Sequence, residues 1–177
     1  MSKDIHQAQL IKILLLAYSG ELAAAYAYRG HWKSVKASFE IKGIKKIENE
    51  EWIHRAHVGE MLKKLGRQPS RFKEIKMWII GRTIGFLCHF GSWFFPMYFA
   101  GRLEHGNVKE YDTAAFHAGK VGLKKFQKQL VKMAKTEQEH EDFFGAMVTD
   151  HPLLPFTQSL FTWGPPEKKP VLVRKPS

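Results

Sequence analysis

The sequence contains one pattern of metal-binding residue types twice. In each half, a lone glutamate precedes a Glu-x-x-His run, by 30 positions in the first half and by 33 in the second. Three-residue spacing places both side chains of a run on neighbouring turns of one helix face, so each run can offer an oxygen and a nitrogen to one ion. Two lone glutamates and two such runs form the ligand set of dinuclear iron or manganese carboxylate sites in four-helix bundles. The predicted ligands are Glu21, Glu51, His54, Glu104, Glu137 and His140.

The charges of these residues also suit a pair of divalent ions. The glutamates carry four negative charges, which two ferrous ions balance if both imidazoles are neutral. Without metal, four carboxylates in an apolar core repel one another and take up protons. Oxygen and imidazole ligands together suit iron or manganese, so we expect two iron ions, with manganese as the alternative. Glu110 competes with Glu104 for the third-helix position, but its separation of 27 from Glu137 breaks the mirrored spacing, which favours Glu104.

The hydrophobic pattern predicts an all-α protein. Apolar residues recur at helical spacing in each half, and no strand-like alternation of useful length is present. Proline and glycine mark the boundaries, with Gly30 as the predicted end of the first helix and Pro96 as an interruption or kink in the third. We therefore predict a four-helix bundle with a short additional C-terminal helix over residues 1–163, and a flexible, basic, proline-rich tail over 164–177. The predicted helices span residues 5–29, 38–65, 74–117, 123–149 and 153–161.

Composition limits the classes of partner and compartment. The chain has 177 residues, enough for one domain, and 28 Lys and Arg against 17 Asp and Glu give a net charge of +11. A surface of this charge favours the phosphates of lipids or nucleic acids. Cys88 is the only cysteine, so an intramolecular disulfide and a thiolate metal cluster are excluded, and we expect a reducing compartment. We predict no secretory signal or transit peptide at the start of the chain, and no Gly-x-Gly-x-x-Gly motif for a dinucleotide occurs.

Residues 83–101 form a run of 19 residues without Asp, Glu, Lys or Arg, and aromatic side chains are frequent in it. This length reaches the threshold for a membrane-spanning helix. Pro96 and three glycines favour instead a helix in the membrane interface, which basic flanking residues would hold on an anionic leaflet. We therefore expect about Trp78 to Phe99 to attach the protein peripherally to the cytoplasmic face of a membrane. A core helix or a subunit interface is the alternative.

The motifs resemble those of the demethoxyubiquinone hydroxylase family, the membrane-associated di-iron enzymes of ubiquinone biosynthesis. Residues 20–30 are similar to the family's Gly-Glu-x-x-Ala-x-x-x-Tyr-x-Gly run. The Glu-x-x-His run at 51–54 leads into a Lys-Lys-Leu-Gly-Arg-Gln-Pro stretch at 63–69, as in the family. An apolar helix then leads into a glutamate over 78–104, and the second Glu-x-x-His run, at 137–140, is followed by a short apolar helix.

This resemblance covers about residues 10–162 and implies a ferritin-like bundle with the six residues above as iron ligands. It implies a monooxygenase that uses dioxygen and an external reductant, NADH or a quinol, to hydroxylate a prenylated demethoxyubiquinone-like quinol. Expected partners are this lipid, the membrane surface, and a second copy or a lipid-delivery protein. The chain departs from the family at Ala17-Tyr18-Ser19, where Asp-His-Ala is usual, and at His105, where a second acid is common. These departures surround the ligands and leave the exact quinone-like lipid open.

Three other functions fit parts of the same pattern. A ferritin-like tRNA hydroxylase would use the positive charge for phosphate contacts, although we expect lipid and not nucleic acid as the partner. A peroxide-reducing or iron-handling ferritin relative would keep the metal site and act on no organic substrate. A helical membrane scaffold would bind no metal and would not depend on Glu51.

Overall fold

The computed structural model describes residues 2–165 and confirms the predicted all-α class. No strand occurs within that range. The predicted tail, 164–177, lies outside the described residues from position 166 onward. The helices are α1 (Lys3–Ser34), α2 (Ser38–Lys64), α3 (Arg71–Leu87), α4 (Phe94–Lys120), α5 (Lys124–Val148) and α6 (Leu154–Phe161).

The four long helices α1, α2, α4 and α5 pack in a closed ring. α1 lies on α2, α4 lies on α5, and contacts of α1 with α4 and of α2 with α5 close the ring. Their buried apolar side chains form two separate clusters, one towards each end of the bundle, and every one of the four helices contributes to both. The first cluster includes Leu10, Leu14, Val58, Leu62, Tyr111 and Leu130, and the second includes Ile44, Phe94, Met97, Tyr98, Phe144 and Val148.

The prediction that Gly30 ends the first helix is wrong, because α1 continues to Ser34. The last turn is held by tertiary contacts: His31 is buried, and the Trp32 indole donates a hydrogen bond of 2.6 Å to Glu48 of α2. Gly30 serves a close approach instead. A Cβ at Gly30 would lie 2.3 Å from the Cα of Gly85 in α3, so only glycine lets the two backbones come this near.

The predicted third helix is two helices, α3 and α4, separated by the non-helical residues 88–93. The interruption therefore precedes Pro96. Proline lies in the first turn of α4, where its missing N–H has no intrahelical partner to lose. The charge-free run 83–101 is consequently divided between two helices and their connection, and it is not one continuous spanning helix.

Helix α3 is attached to the outside of the ring. Gly81 and Gly85 are its only buried residues, and they lie against Ala23 and Gly30 of α1. At its first turn, Glu74 accepts hydrogen bonds from Ser19 and from Arg55, which tie α3 to α1 and α2. No α3 residue belongs to either apolar cluster.

The predicted short C-terminal helix is present as α6. The Tyr98 hydroxyl of α4 donates a hydrogen bond of 2.7 Å to the backbone carbonyl of Trp163, and it lies 3.1 Å from the carbonyl of Thr157. The Trp163 indole donates to the buried carboxylate of Glu141 on α5. These contacts hold α6 and its following residues across one end of the bundle.

α1 is the one helix among residues 2–165 that is long and apolar enough to cross a membrane. In its most apolar stretch of 18 residues, 56% of the positions are buried inside the protein. A core helix passes this length and composition test as easily as a spanning one.

The close approach of α1 and α3 predicts the cost of a methyl group between them. Gly30→Ala should lower the free energy of unfolding by about 1–3 kcal/mol, because the added Cβ pushes two backbones apart. Gly106→Ala is the matched control, since a Cβ at this exposed position in α4 meets nothing within 4 Å. The control should gain up to about 1 kcal/mol from helix propensity. Urea unfolding measures both, and equal stabilities of the two variants would contradict the packing described.

Candidate metal centre

The six predicted ligands lie together in the middle of the bundle. They form two groups of four, and within each group the nitrogen and oxygen atoms that could bind an ion lie within 4.8 Å of one another. Both groups contain Glu51 and Glu137. The group completed by Glu21 and His54 is called the His54 position below, and the group completed by Glu104 and His140 is called the His140 position.

All six side chains are buried between the two apolar clusters. Helices α1 and α4 each supply one glutamate, and helices α2 and α5 each supply one Glu-x-x-His run. Each helix passes from one apolar cluster to the other at this level, which places the polar residues in one layer. Glu110, the alternative to Glu104, belongs to neither group.

Most of the binding atoms have no hydrogen-bond partner within the described residues. Eight buried side-chain nitrogen or oxygen atoms there lack one, and seven of them belong to this cluster. They are Glu21 Oε2, both carboxylate oxygens of Glu51 and of Glu137, His54 Nδ1 and His140 Nδ1. Each unsatisfied buried polar atom costs about 1–3 kcal/mol, so this many in one layer point to a missing partner.

The short contacts have the geometry expected around a cation. His54 Nδ1 lies 2.6 Å from Glu137 Oε1, and His140 Nδ1 lies 3.3 Å from Glu137 Oε2, yet neither pair is aligned as a hydrogen bond. Nitrogen and oxygen atoms that can bind a metal therefore converge on one small volume. Two shared carboxylates, two terminal carboxylates and two imidazoles fit a pair of divalent iron or manganese ions.

Two tyrosines that were not predicted hold the lone glutamates. The Tyr111 hydroxyl donates to Glu21, and the Tyr28 hydroxyl donates to Glu104. Burial, together with the nearby carboxylates, raises the pKa of both phenols well above its usual value, which keeps them as donors. Each tyrosine follows a lone glutamate by seven positions, so the sequence repeats Glu-x6-Tyr in both halves. This repeat could have been found in the sequence. Nothing in the sequence indicates that each tyrosine bonds to the glutamate of the other half.

Further hydrogen bonds act on one side of the cluster. Asn107 donates its amide to Glu104 over 2.9 Å. The Nε2 atom of His140 lies 2.9 Å from Glu50 Oε2, and Glu50 in turn pairs with Lys46. A carboxylate on the outer nitrogen of an imidazole fixes the tautomer that directs the other nitrogen to a metal. Sequence analysis missed Glu50, because the acid lies on a different helix from the histidine it contacts.

Without metal, three of the carboxyls favour the protonated form. Burial raises the pKa of Glu21, and it raises the pKa of Glu51 and of Glu104 well above the usual value. Burial also raises the pKa of Glu110, and the negative charges of Glu21 and Glu137 add to this effect. The resulting pKa is about 7.

Glu137 and His54 behave in the opposite way, as a charged pair. Burial alone would raise the pKa of Glu137, but contacts from His140 and His54 hold that pKa below its usual range. Burial alone would lower the pKa of His54, and the carboxylate of Glu137 outweighs it, so the pKa of His54 is raised. Without metal, protons on the carboxyls and on His54 thus offset the negative charge of the glutamates.

An apolar cavity of about 750 Å³ lies between α1, α3 and α4, next to the cluster. Its walls are mainly aliphatic and aromatic side chains, and its polar end includes Glu21, Tyr111, Asn107 and Glu110. A cavity of this size and character accommodates a small organic molecule. Its apolar walls include Leu16, Met77, Ile80, Ile84, Leu87, Phe95, Phe99 and Leu103.

No family model matches this chain, and neither a curated protein nor a solved structure does.

The pKa shifts predict how the stability of metal-free protein depends on pH. Glu21, Glu51 and Glu104 keep protons in the folded state that the unfolded chain releases above about pH 4.5, and His54 does so above about pH 6.5. His6 and His31, whose pKa is lowered by burial, act in the opposite direction below about pH 6.5. The groups with a raised pKa outnumber them, so the folded state binds more protons and stability falls as pH rises from 5 to 8. Thermal unfolding of metal-free protein should show this decrease.

The neutral variant Glu104→Gln should reduce the pH dependence, because it removes one of the carboxyl groups whose pKa is raised. Manganese or ferrous ion should raise the unfolding temperature more at pH 8 than at pH 5, since ions and protons compete for the same atoms. A metal-free protein that becomes more stable between pH 5 and 8 would contradict this description of the cluster.

Proposed function

We propose that this protein is a di-iron, oxygen-dependent monooxygenase of ferritin-like fold that hydroxylates a prenylated, demethoxyubiquinone-like quinol in ubiquinone biosynthesis. Manganese is the alternative metal. The observation that supports this proposal most strongly is the buried cluster of four glutamates and two histidines beside an apolar cavity. The residue pattern and its resemblance to the demethoxyubiquinone hydroxylases support the choice of reaction.

The chain's own residues would divide the work as follows. Glu51 and Glu137, which belong to both groups, would help to hold both ions, and Glu21 and Glu104 would each help to hold one. When bound, a reduced di-iron centre supplies dioxygen binding and activation. Hydrogen bonds from Tyr28 and Tyr111 fix the orientation of the two terminal carboxylates. The two apolar clusters exclude water above and below the layer.

The cavity suits an apolar substrate with a polar ring. The ring hydroxyls would lie at the polar end, near Tyr111, Asn107 and Glu110, and a prenyl chain would follow the apolar walls outward. The pKa of Glu110, about 7, lets its carboxyl hold or release a proton near neutral pH. Such a group beside a quinol hydroxyl can exchange a proton with it.

The exposed face of α3 and the start of α4 support attachment to the membrane that contains such a lipid. Large apolar side chains project outward from this face. Together they form a larger exposed apolar patch than the isolated apolar residues that are normal on a protein surface. The excess of 28 basic over 17 acidic residues favours an anionic, cytoplasmic leaflet. NADH or a quinol would supply electrons, and a second copy or a lipid-delivery protein would be a partner. The exposed apolar residues are Phe72, Ile75, Ile79, Phe86, Leu87, Phe90, Trp93, Phe95 and Phe99.

Quinone profiling tests the proposed reaction. Cells that lack the gene should accumulate a demethoxy intermediate, which the wild-type gene removes and a Glu137→Ala copy does not. Glu139→Gln, an exposed acid in the same run, is the control and should restore the product. Purified wild-type protein, loaded anaerobically with ferrous ion, should hold two iron ions per chain. An unchanged quinone pool in the null cells would overturn the reaction, and a protein that binds no iron would overturn the metal centre.

The cavity predicts a separate effect on the substrate. Ile80 lines the cavity, whereas the neighbouring Ile79 is exposed and does not. Ile80→Trp should lower kcat/KM for a prenylated quinol about tenfold or more, because the indole occupies space that the substrate needs for a reactive position. Ile79→Trp should leave kcat/KM near the wild-type value. Iron content should remain at two ions in both variants, and equal activities would show that the substrate uses another entrance.

A further inference from the structure

The two halves of the candidate metal centre have different surroundings, although their ligands match. Glu50 lies on the outer nitrogen of His140, at 2.9 Å. His54 makes no corresponding hydrogen bond through Nε2 to any residue in the range 2–165. The residue that corresponds to Glu50, immediately before the second Glu-x-x-His run, is Thr136, whose hydroxyl donates to the backbone carbonyl of Lys132 in its own helix.

The lone glutamates Glu104 and Glu21 also differ in the number of hydrogen bonds that hold them. Glu104 accepts two hydrogen bonds, from the Tyr28 hydroxyl and from the Asn107 amide. Glu21 accepts one, from Tyr111, and its other oxygen is without a partner. The His140 position is therefore the more firmly built of the two before any ion is bound.

The cavity also meets the two positions unequally. Glu21 is part of its wall, whereas the other five predicted ligands are not. A molecule in the cavity consequently meets Glu21, a member of the His54 position, before any other predicted ligand.

We propose that the His140 position binds its divalent ion first and more tightly, and that the His54 position fills second and faces the cavity. This inference rests on the proposed metal centre and adds an order to it. The physical cause is the carboxylate of Glu50, whose contact with Nε2 fixes the direction of the His140 ring and the tautomer that presents Nδ1 to an ion. Loss of such a partner typically costs about 10–100-fold in metal affinity.

Stepwise binding of cobalt ion to the metal-free full-length protein tests the order. Cobalt(II) is added without oxygen, and its visible absorption and equilibrium dialysis report the number of ions bound and the affinity of each step. Wild-type protein should bind two ions in two steps separated by at least about tenfold in affinity.

Glu50→Gln keeps the shape and an acceptor oxygen but removes the charge. It should weaken the first step about 10–100-fold and leave the second step close to its wild-type value. Glu139→Gln, the exposed acid beside His140 in sequence, should change neither step. His54→Ala should still bind the first ion with wild-type affinity, and circular dichroism checks that each variant is folded.

The outcomes separate the two proposals. Two equal steps in wild-type protein, or an unchanged first step in Glu50→Gln, would overturn the order of filling and leave the dinuclear centre intact. A wild-type protein that binds no cobalt, ferrous or manganese ion would overturn the metal centre itself.

Discussion

The burial of four carboxylates in one layer is the constraint on which the rest of the structure depends. Glu51, Glu104 and Glu137 are completely inaccessible to solvent, and Glu21 is nearly so. Charges in such a place are tolerated only if they are paired or bind metal. The protein supplies two phenols, one amide and two imidazoles around them, and these groups orient the oxygens without neutralising all of their charge.

This layer also explains why the bundle has two apolar clusters instead of one continuous core. Each long helix contributes buried apolar residues before and after its predicted metal ligands, so the polar layer lies between the two apolar clusters. The cross-connected tyrosines join the halves: Tyr28 comes from the half that holds Glu21 but bonds to Glu104, and Tyr111 does the reverse. Each half therefore supplies a phenol hydrogen bond to the lone glutamate of the other half.

Sequence reasoning succeeded where the information is periodic. The helical class follows from spacing along single helices, and so does the proximity of the six Glu and His residues; that they bind metal stays a prediction. Gly30 misled because glycine is a weak stop signal, and its contact with Gly85 is visible only in three dimensions. Glu50 was missed for a related reason: its partner, His140, is 90 positions away. The break between α3 and α4 lies at residues 88–93, before Pro96. The proline therefore indicated that the helix is interrupted, but not where.

The attachment of α3 through glycines has a consequence for the cavity it encloses. This helix supplies the outer wall but belongs to neither apolar cluster, so its detachment leaves both clusters whole. Segments with few buried apolar contacts open at a fraction of the global unfolding free energy. The glycine faces have no side chains that interlock, and Glu74 anchors only the first turn. The outer wall of the cavity is thus the part of its lining that is least tied to the apolar clusters, so a displacement of α3 would enlarge the cavity and leave both clusters intact.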